Sequence, residues 1–457
     1  MQNHDVSWFP VETPLQVVRR MTRQFDAEVL AKLEYMNPAW SHHYRAAEAV
    51  VRDTEERKEI NPGMTLVDWT SGSSGIALAM VGIRRGYKVL LAVADSMSAE
   101  KQAMLRALGA DLVLTPSDAV PGAGRGCRVV AENLVKSLPN SFYSNLYDNP
   151  VSKQVHAGQT GPELFRQTGG RVTHVFVPLG SGALASGLAE YLKGQNPSIR
   201  IIGVEPAGSV YRSLLYRDME WEAEATVQEE IGAMQPSSFE VTALLDDVVQ
   251  VRDFDAFNCG REMLRSESIF GGSASGAVMS AFLEHGGALG NDACVVLLMS
   301  DFGGYSLGRM YSDEWMRERN LYRKTHSAAE LLTAEDILHM KVRRDLIAAS
   351  PEHTLAEVFE MMKQNDVSQV PIVSYNIPIG SISENRILSI LIENDTAMTA
   401  KVVGFMEQPF PLCPLYAPLP EVSEKLQQNA SGVLVPLSDG RFQLITKSDL
   451  IYALTHK

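Results

Sequence analysis

From Pro14 to Met310 short apolar runs alternate with helical patterns, as where Lys88-Val89-Leu90-Leu91-Ala92-Val93 is followed by the amphipathic stretch Ala99 to Leu108. This alternation predicts βα units around a mostly parallel sheet. Further buried strands are expected at Met64 to Asp68, His174 to Pro178, Ile201 to Val204 and Cys294 to Met299, each close to Gly, Ser or Pro. An open α/β sheet binds ligands at the carboxyl ends of its strands, so the informative loops are those that follow strands. A charged helical segment is expected from Asp313 to Glu335, and a different pattern begins near Ile337. It contains two units of similar plan, Ser368 to Val373 leading to Gly380-Ser381-Ile382-Ser383, and Ser431 to Pro436 leading to Leu444-Ile445-Thr446. Each is a strand, a turn, a second strand and a helix, with a helix before it (Leu355 to Asn365, and Leu419 to Gln428).

The 457 residues, 45% hydrophobic and 21% charged, have ordinary globular composition and are too many for one core, so two or more domains are expected. A net charge of −14 without a basic patch disfavours nucleic acid and anionic membrane as partners. The N-terminus has no basic segment leading into an apolar stretch, and no apolar run is long enough to span a bilayer, which predicts a cytoplasmic protein. Cys127, Cys259, Cys294 and Cys413 are too scattered for a CxxC motif or a disulfide framework, and are expected to be buried free thiols.

Several motifs then follow in order: Ala31-Lys32-Leu33-Glu34, Asn37-Pro38-Ala39-Trp40-Ser41-His42-His43-Tyr44-Arg45, Thr70-Ser71-Gly72-Ser73-Ser74-Gly75, Thr160-Gly161-Pro162-Glu163, Gly180 to Ala185, Gly203-Val204-Glu205-Pro206, and Tyr311 to Met316. Together they resemble the cystathionine β-synthase and cysteine synthase family. The resemblance implies fold-type II pyridoxal-phosphate (PLP) architecture, an α/β fold of the tryptophan synthase β type with parallel sheets in two subdomains. In that family a lysine forms the Schiff base to PLP, and His43 stands at its place. An imidazole forms no stable imine, so no covalent PLP is expected, and a noncovalent ligand in the former PLP pocket stays open. No cysteine precedes Cys127, so the haem motif of the animal enzymes is absent and no haem is expected.

The loop Thr70 to Gly75 follows a predicted strand and opens a helix, where backbone N–H groups and hydroxyls can hold an anion. The resemblance makes Thr70, Ser71, Gly72, Ser73 and Ser74 the grip on a substrate carboxylate, with Ser73 in place of the family's asparagine. It makes Gly180, Ser181, Gly182, Ala183 and Leu184 a degenerate phosphate cradle, in which Ala183 replaces a glycine and Leu184 a threonine. Ser273 matches the partner of the pyridine nitrogen, Leu146 replaces a substrate-binding glutamine, and Ala233 an active-site tyrosine. Lys32 matches a framework lysine and Lys101 lies on a helix of the small mobile subdomain; neither is expected to reach the cofactor. His43 either acts as acid or base or fills the lysine's space, and His42 is expected to point the other way. No metal site is expected.

The two C-terminal units resemble a tandem cystathionine-β-synthase-type (CBS) pair, the Bateman module that senses adenosine ligands. In the second unit Thr446 and Asp449 have the spacing that holds ribose, whereas the first keeps Ser383 but has Arg386 at the aspartate position. One site for S-adenosylmethionine or an adenine nucleotide is therefore expected, the alternative being a module kept for dimerisation. The expected organisation is a synthase-like domain over residues 1–325, a linker over 326–336 and the CBS pair over 337–457, assembled as a homodimer or higher homo-oligomer. Three functions compete: a pseudoenzyme that binds a small molecule or amino acid, a PLP-independent enzyme using His43, and β-replacement with noncovalent PLP.

Overall fold

The apolar runs of the first part become the interior strands of two sheets in a computed structural model that describes residues 12–116, 126–217, 225–323, 332–341, 346–394, 396–427, 432–437 and 440–455. Its strands are β1 (Leu15–Val17), β2 (Glu28–Leu33), β3 (Thr65–Thr70), β4 (Lys88–Ala94), β5 (Asp111–Thr115), β6 (Ser141–Tyr143), β7 (His174–Pro178), β8 (Arg200–Pro206), β9 (Asp247–Val251) and β10 (Cys294–Met299). One sheet has the order β1-β2-β10-β7-β8-β9 and the other β5-β4-β3-β6. Every pairing is parallel except that of β1 with β2. All six residues of β10 are buried, as a parallel strand covered on both faces requires. Val295, Leu297 and Met299 join the core on one face of the large sheet, and Cys294, Val296 and Leu298 the core on the other.

The helices that frame the site are α1 (His43–Glu56), α2 (Ser73–Arg84), α3 (Ala99–Ala107), α4 (Ala183–Gln195) and α5 (Ser273–His285). α2 follows β3, α4 follows β7, and α5 ends shortly before β10, so the Thr70 to Gly75 and Gly180 to Leu184 loops both lie at carboxyl ends of strands. The chain divides into two units, Met1–Arg323 and Lys324–Lys457. The helical segment expected from Asp313 to Glu335 is not continuous. A six-residue helix, Asp313–Glu318, is capped by Ser312, buries Met316 and sets Trp315 5.8 Å from Phe257, so it belongs to the first unit. Residues 324–331, with part of the expected linker, lie outside the described residues.

In the second unit the helices are α6 (Ala334–Met340), α7 (Leu355–Asn365), α8 (Glu384–Glu393), α9 (Leu419–Gln427) and α10 (Lys447–Thr455), and the hairpins are β11 (Gln369–Ser374) with β12 (Ile377–Ser383) and β13 (Gly432–Pro436) with β14 (Phe442–Thr446). Both halves thus have the helix, hairpin, helix plan. Leu355, Val358 and Met362 put one stripe of α7 into the core of the first half. Residues 333–336, assigned above to the linker, instead form a capped helix start: Thr333 and Asp336 make a capping box, and Ala334 is buried in the core of the second half.

Asp68, on β3, ties this frame together close to the site. Its Oδ2 accepts from the Leu146 amide at 2.9 Å and its Oδ1 from the Trp69 amide at 2.8 Å. Burial pushes its carboxyl up to about 7 despite these two donors. A carboxyl raised above its unfolded value contributes most below the unfolded value, and that contribution is lost as pH rises through about 7, by about 1.4 kcal/mol per pH unit at the steepest. Asp68→Asn should therefore lose less stability than the wild type between about pH 5 and about pH 8. Urea unfolding at the two pH values measures it, and equal losses in both proteins would refute the assignment.

Candidate functional site

The motif that carries His43 is fixed by a buried cluster of four charges. Arg45, two residues into α1, donates to Glu34 through Nε at 3.0 Å and Nη2 at 2.9 Å, and to Glu163 through Nη1 at 2.8 Å. Lys32 pairs with Glu163 and donates to the Thr13 carbonyl at 2.7 Å. Burial alone would raise the Glu34 carboxyl, but Arg45 and Lys32 hold it down at about 2. Two cations and two anions cancel, and Lys32 serves as framework and stays out of the pocket.

His43 opens α1 in partial burial. Burial, followed by the neighbouring His42 and then Lys101, pushes its imidazole down to about 3 against the opposing Glu230. It is neutral at physiological pH and far too weak a base for efficient proton transfer there. His42 is not turned away. The two rings lie 4.0 Å apart between centroids, and His42 lies 5.8 Å from His156, whose Nδ1 is 2.9 Å from Thr160 Oγ1. This imidazole row, with His42 Nδ1 buried and unpartnered among the described residues, was not visible in the sequence because His156 arrives on a separate helix.

In the first loop Thr70 Oγ1 accepts from the amides of Gly72 and Gly75, both at 2.9 Å, and lies 2.7 Å from Ser74 Oγ. Two of the expected carboxylate-gripping hydroxyls thus brace the loop itself, and Ser71 is exposed. Gly72 sits at φ +145°, where a Cβ would come within 2.4 Å of Lys101 Cδ. Ser73, first residue of α2, donates its amide to Glu230 Oε1 at 3.2 Å and its hydroxyl to Glu230 Oε2.

Lys101 corrects the sequence reading, because α3 brings its side chain into the site. The side chain is 1% exposed, and its ammonium pairs with Glu230 and, at 2.9 Å, with Glu229. Arg309 Nη1 reaches Glu229 at 2.7 Å and Nη2 donates to the Ser96 carbonyl at 2.7 Å. Burial would lower the Lys101 ammonium, but Glu230 and Glu229 raise it; burial would raise the Glu230 carboxyl, but Lys101 holds it at about 2. Both groups are charged. Glu230 holds this place with φ +68°, a left-handed conformation uncommon outside glycine.

The remaining expected contacts are spoken for. Ser273 Oγ donates to the Glu229 carbonyl at 2.9 Å and accepts the Glu229 amide at 3.0 Å. In the cradle, the Gly180 carbonyl accepts from Tyr211 at 2.9 Å, the Ser181 carbonyl accepts from the Ser237 hydroxyl, and Gly182 has φ +83°. Ala183 and Leu184 are buried among aliphatic neighbours of the large-sheet core. Leu146 is buried in the core under the small sheet, and Ala233 exchanges hydrogen bonds with Ser209. Asp301, not singled out in the sequence, caps α5 through the amides of Ala274 at 3.0 Å and Ser275 at 2.8 Å. A cleft of about 710 Å³ beside the cradle is lined by Tyr211, Arg217, Ser237 and Glu240, and none of the expected site residues faces it. Among the described residues no group of His, Cys, Asp and Glu is placed to hold a metal, and no helix is long and apolar enough to cross a membrane.

In the second unit the Asp449 carboxylate accepts from the Thr446 amide at 2.8 Å and hydroxyl at 2.7 Å, and Lys341 Nζ lies 3.1 Å from it. At the corresponding place of the first half Ser383 accepts from the Arg386 amide at 3.2 Å, while the Arg386 side chain is exposed.

Comparison with known proteins agrees with this architecture. Residues 8–301 match the family described as pyridoxal-phosphate dependent enzyme, and residues 334–393 match the CBS domain. Cystathionine beta-synthase of Dictyostelium discoideum is 27% identical over 454 residues, 96% of this chain and 90% of that protein. Cysteine synthase 3 of Caenorhabditis elegans is 37% identical over 60% of this chain and 78% of its own length, and cysteine synthase B of Escherichia coli is 34% identical over 64% and 90%. Among solved structures, the O-acetylserine dependent cystathionine beta-synthase from Helicobacter pylori has a TM-score of 0.60 at 28% identity, covering 65% of this chain and 95% of that one. The match over residues 8–301 makes the chain a member of the pyridoxal-phosphate dependent enzyme family, here joined to a CBS domain.

Proposed function

We propose that this protein is a cystathionine β-synthase-like pseudoenzyme, which binds a small carboxylate or amino acid without Schiff-base catalysis and is regulated through its CBS module. The observation that carries this reading is the Lys101–Glu230–Ser73 contact beside His43. The residues present do not fit PLP as an imine-linked cofactor. His43 offers no primary amine, Lys101 is protonated between two carboxylates, the Ser273 hydroxyl is engaged by Glu229, and Leu184 brings an apolar side chain to the cradle. Acid or base chemistry by His43 is disfavoured by an imidazole held near 3. What remains is a helix-start loop with hydroxyl and amide donors, suited to a carboxylate.

Borohydride reduction of the purified protein followed by peptide mass analysis should yield no pyridoxyl adduct. Lys101 is the residue to watch, since its amine is the one inside the site. An adduct there or on any other lysine of the pocket would end the pseudoenzyme reading.

For the second unit, Thr446 and Asp449 are proposed to hold the ribose of one adenosine-type ligand per chain, whose hydroxyls would take the place of Lys341 on the carboxylate. Titration with S-adenosylmethionine, AMP and ATP should saturate at about one per chain with one of them. Losing hydrogen bonds to a charged group costs about 1.5–3 kcal/mol each, so Asp449→Ala should weaken binding at least about tenfold and Arg386→Ala far less. Failure of all three ligands at millimolar concentration would leave the module a dimerisation element.

A further inference from the structure

We infer that Glu230 is a resident ligand of the Thr70 to Gly75 loop, so that an external carboxylate enters this site only by exchange with the protein's own. The inference rests on the carboxylate-binding reading above and adds how that binding is controlled. α2 is a twelve-residue helix, and its first amide and the Ser73 hydroxyl converge on a single carboxylate. Glu230 supplies it from the loop between β8 and β9, in a backbone conformation that suits glycine better than glutamate. Lys101 provides the counter-charge from α3, next to the small sheet, while Arg309 neutralises Glu229. The geometry is that of a bound acid: two donors at a helix N-terminus, an ammonium on the same oxygen as the amide, and burial from water.

Two consequences follow. A free carboxylate must displace a tethered competitor, so its apparent affinity in the resting protein is reduced by the fraction of molecules in which Glu230 is withdrawn. When Glu230 leaves, Lys101 loses one of its two carboxylate partners, and the incoming carboxylate can replace it. The site therefore selects small molecules whose single carboxylate reaches both Ser73 and Lys101, and Glu230 sets the threshold concentration.

Calorimetry of the full chain with acetate and with L-serine tests this in the wild type, Glu230→Gly and Glu230→Gln. Glu230→Gly should bind at least one of the two roughly tenfold or more tighter than the wild type, with Glu230→Gln in between. Equal affinity in all three proteins would overturn the exchange inference and leave the carboxylate-binding reading standing. Binding by none of them would overturn that reading, and a second measurement then decides the role of Glu230 by itself. In acylation by an amine-reactive reagent, followed by peptide mass analysis, Lys101 should be protected in the wild type and several-fold faster in Glu230→Gly. An unchanged Lys101 rate would show that Glu230 does not close the site.

Discussion

A buried ammonium must be paired, and the pairing of Lys101 with Glu229 and Glu230 sets the form of this site. It joins α3, beside the small sheet, to the β8–β9 loop of the large one, and the neighbouring contacts follow from it. Gly72 has to lack a side chain because the lysine stem passes over it. Ser73 is turned to Glu230, Ser273 is bound by the backbone of Glu229, and Arg309 is drawn in by the second carboxylate. Charges that would otherwise exclude one another thus form a neutral group, two anions with two cations.

A second buried charge cluster braces the scaffold around this group. Lys32, Glu34, Arg45 and Glu163 fix the start of α1, so His43 sits on a firmly held helix. Removing one member of such a cluster leaves an uncompensated buried charge, so the four groups hold their places as a set. Neutral and apolar side chains carry no comparable penalty. His43 and Leu184 are a neutral and an apolar group where the resemblance implies a lysine and a threonine, and Leu184 is absorbed into the large-sheet core.

The fold was legible because its signals are local. Periodicity located β4, β7, β8, β10 and α3 to within a residue or two, and the repeated helix-hairpin-helix plan of the second unit was readable from Val370 and Val433 with their neighbours. The segment after Asp313 misled because its frequent charges read as one exposed helix, although Trp315 and Met316, with Leu321 and Tyr322, pack its start on the first unit. In the site, motif residues were found and their partners were not. Lys101 and Glu230 are 129 residues apart, and nothing in the spacing of either says that they meet. The available signal was chemical: two acidic residues, Glu229 and Glu230, precede an Ile-Gly turn at an expected substrate site and call for cations. His156 and Asp301 were missed for the same reason, since contacts between distant elements leave no period in the sequence.

Closure of this site by its own ion pair is measured by a double-mutant cycle on Lys101→Met and Glu230→Gln, read by urea unfolding of the full chain. Breaking a buried pair from one side costs about 3–5 kcal/mol, while replacing both members with neutral groups costs much less. The account predicts that the double variant is more stable than the sum of the two single losses would allow, with a coupling of at least about 1.5 kcal/mol. Additive losses would mean that the two side chains do not depend on each other, and that the site is not closed in this way.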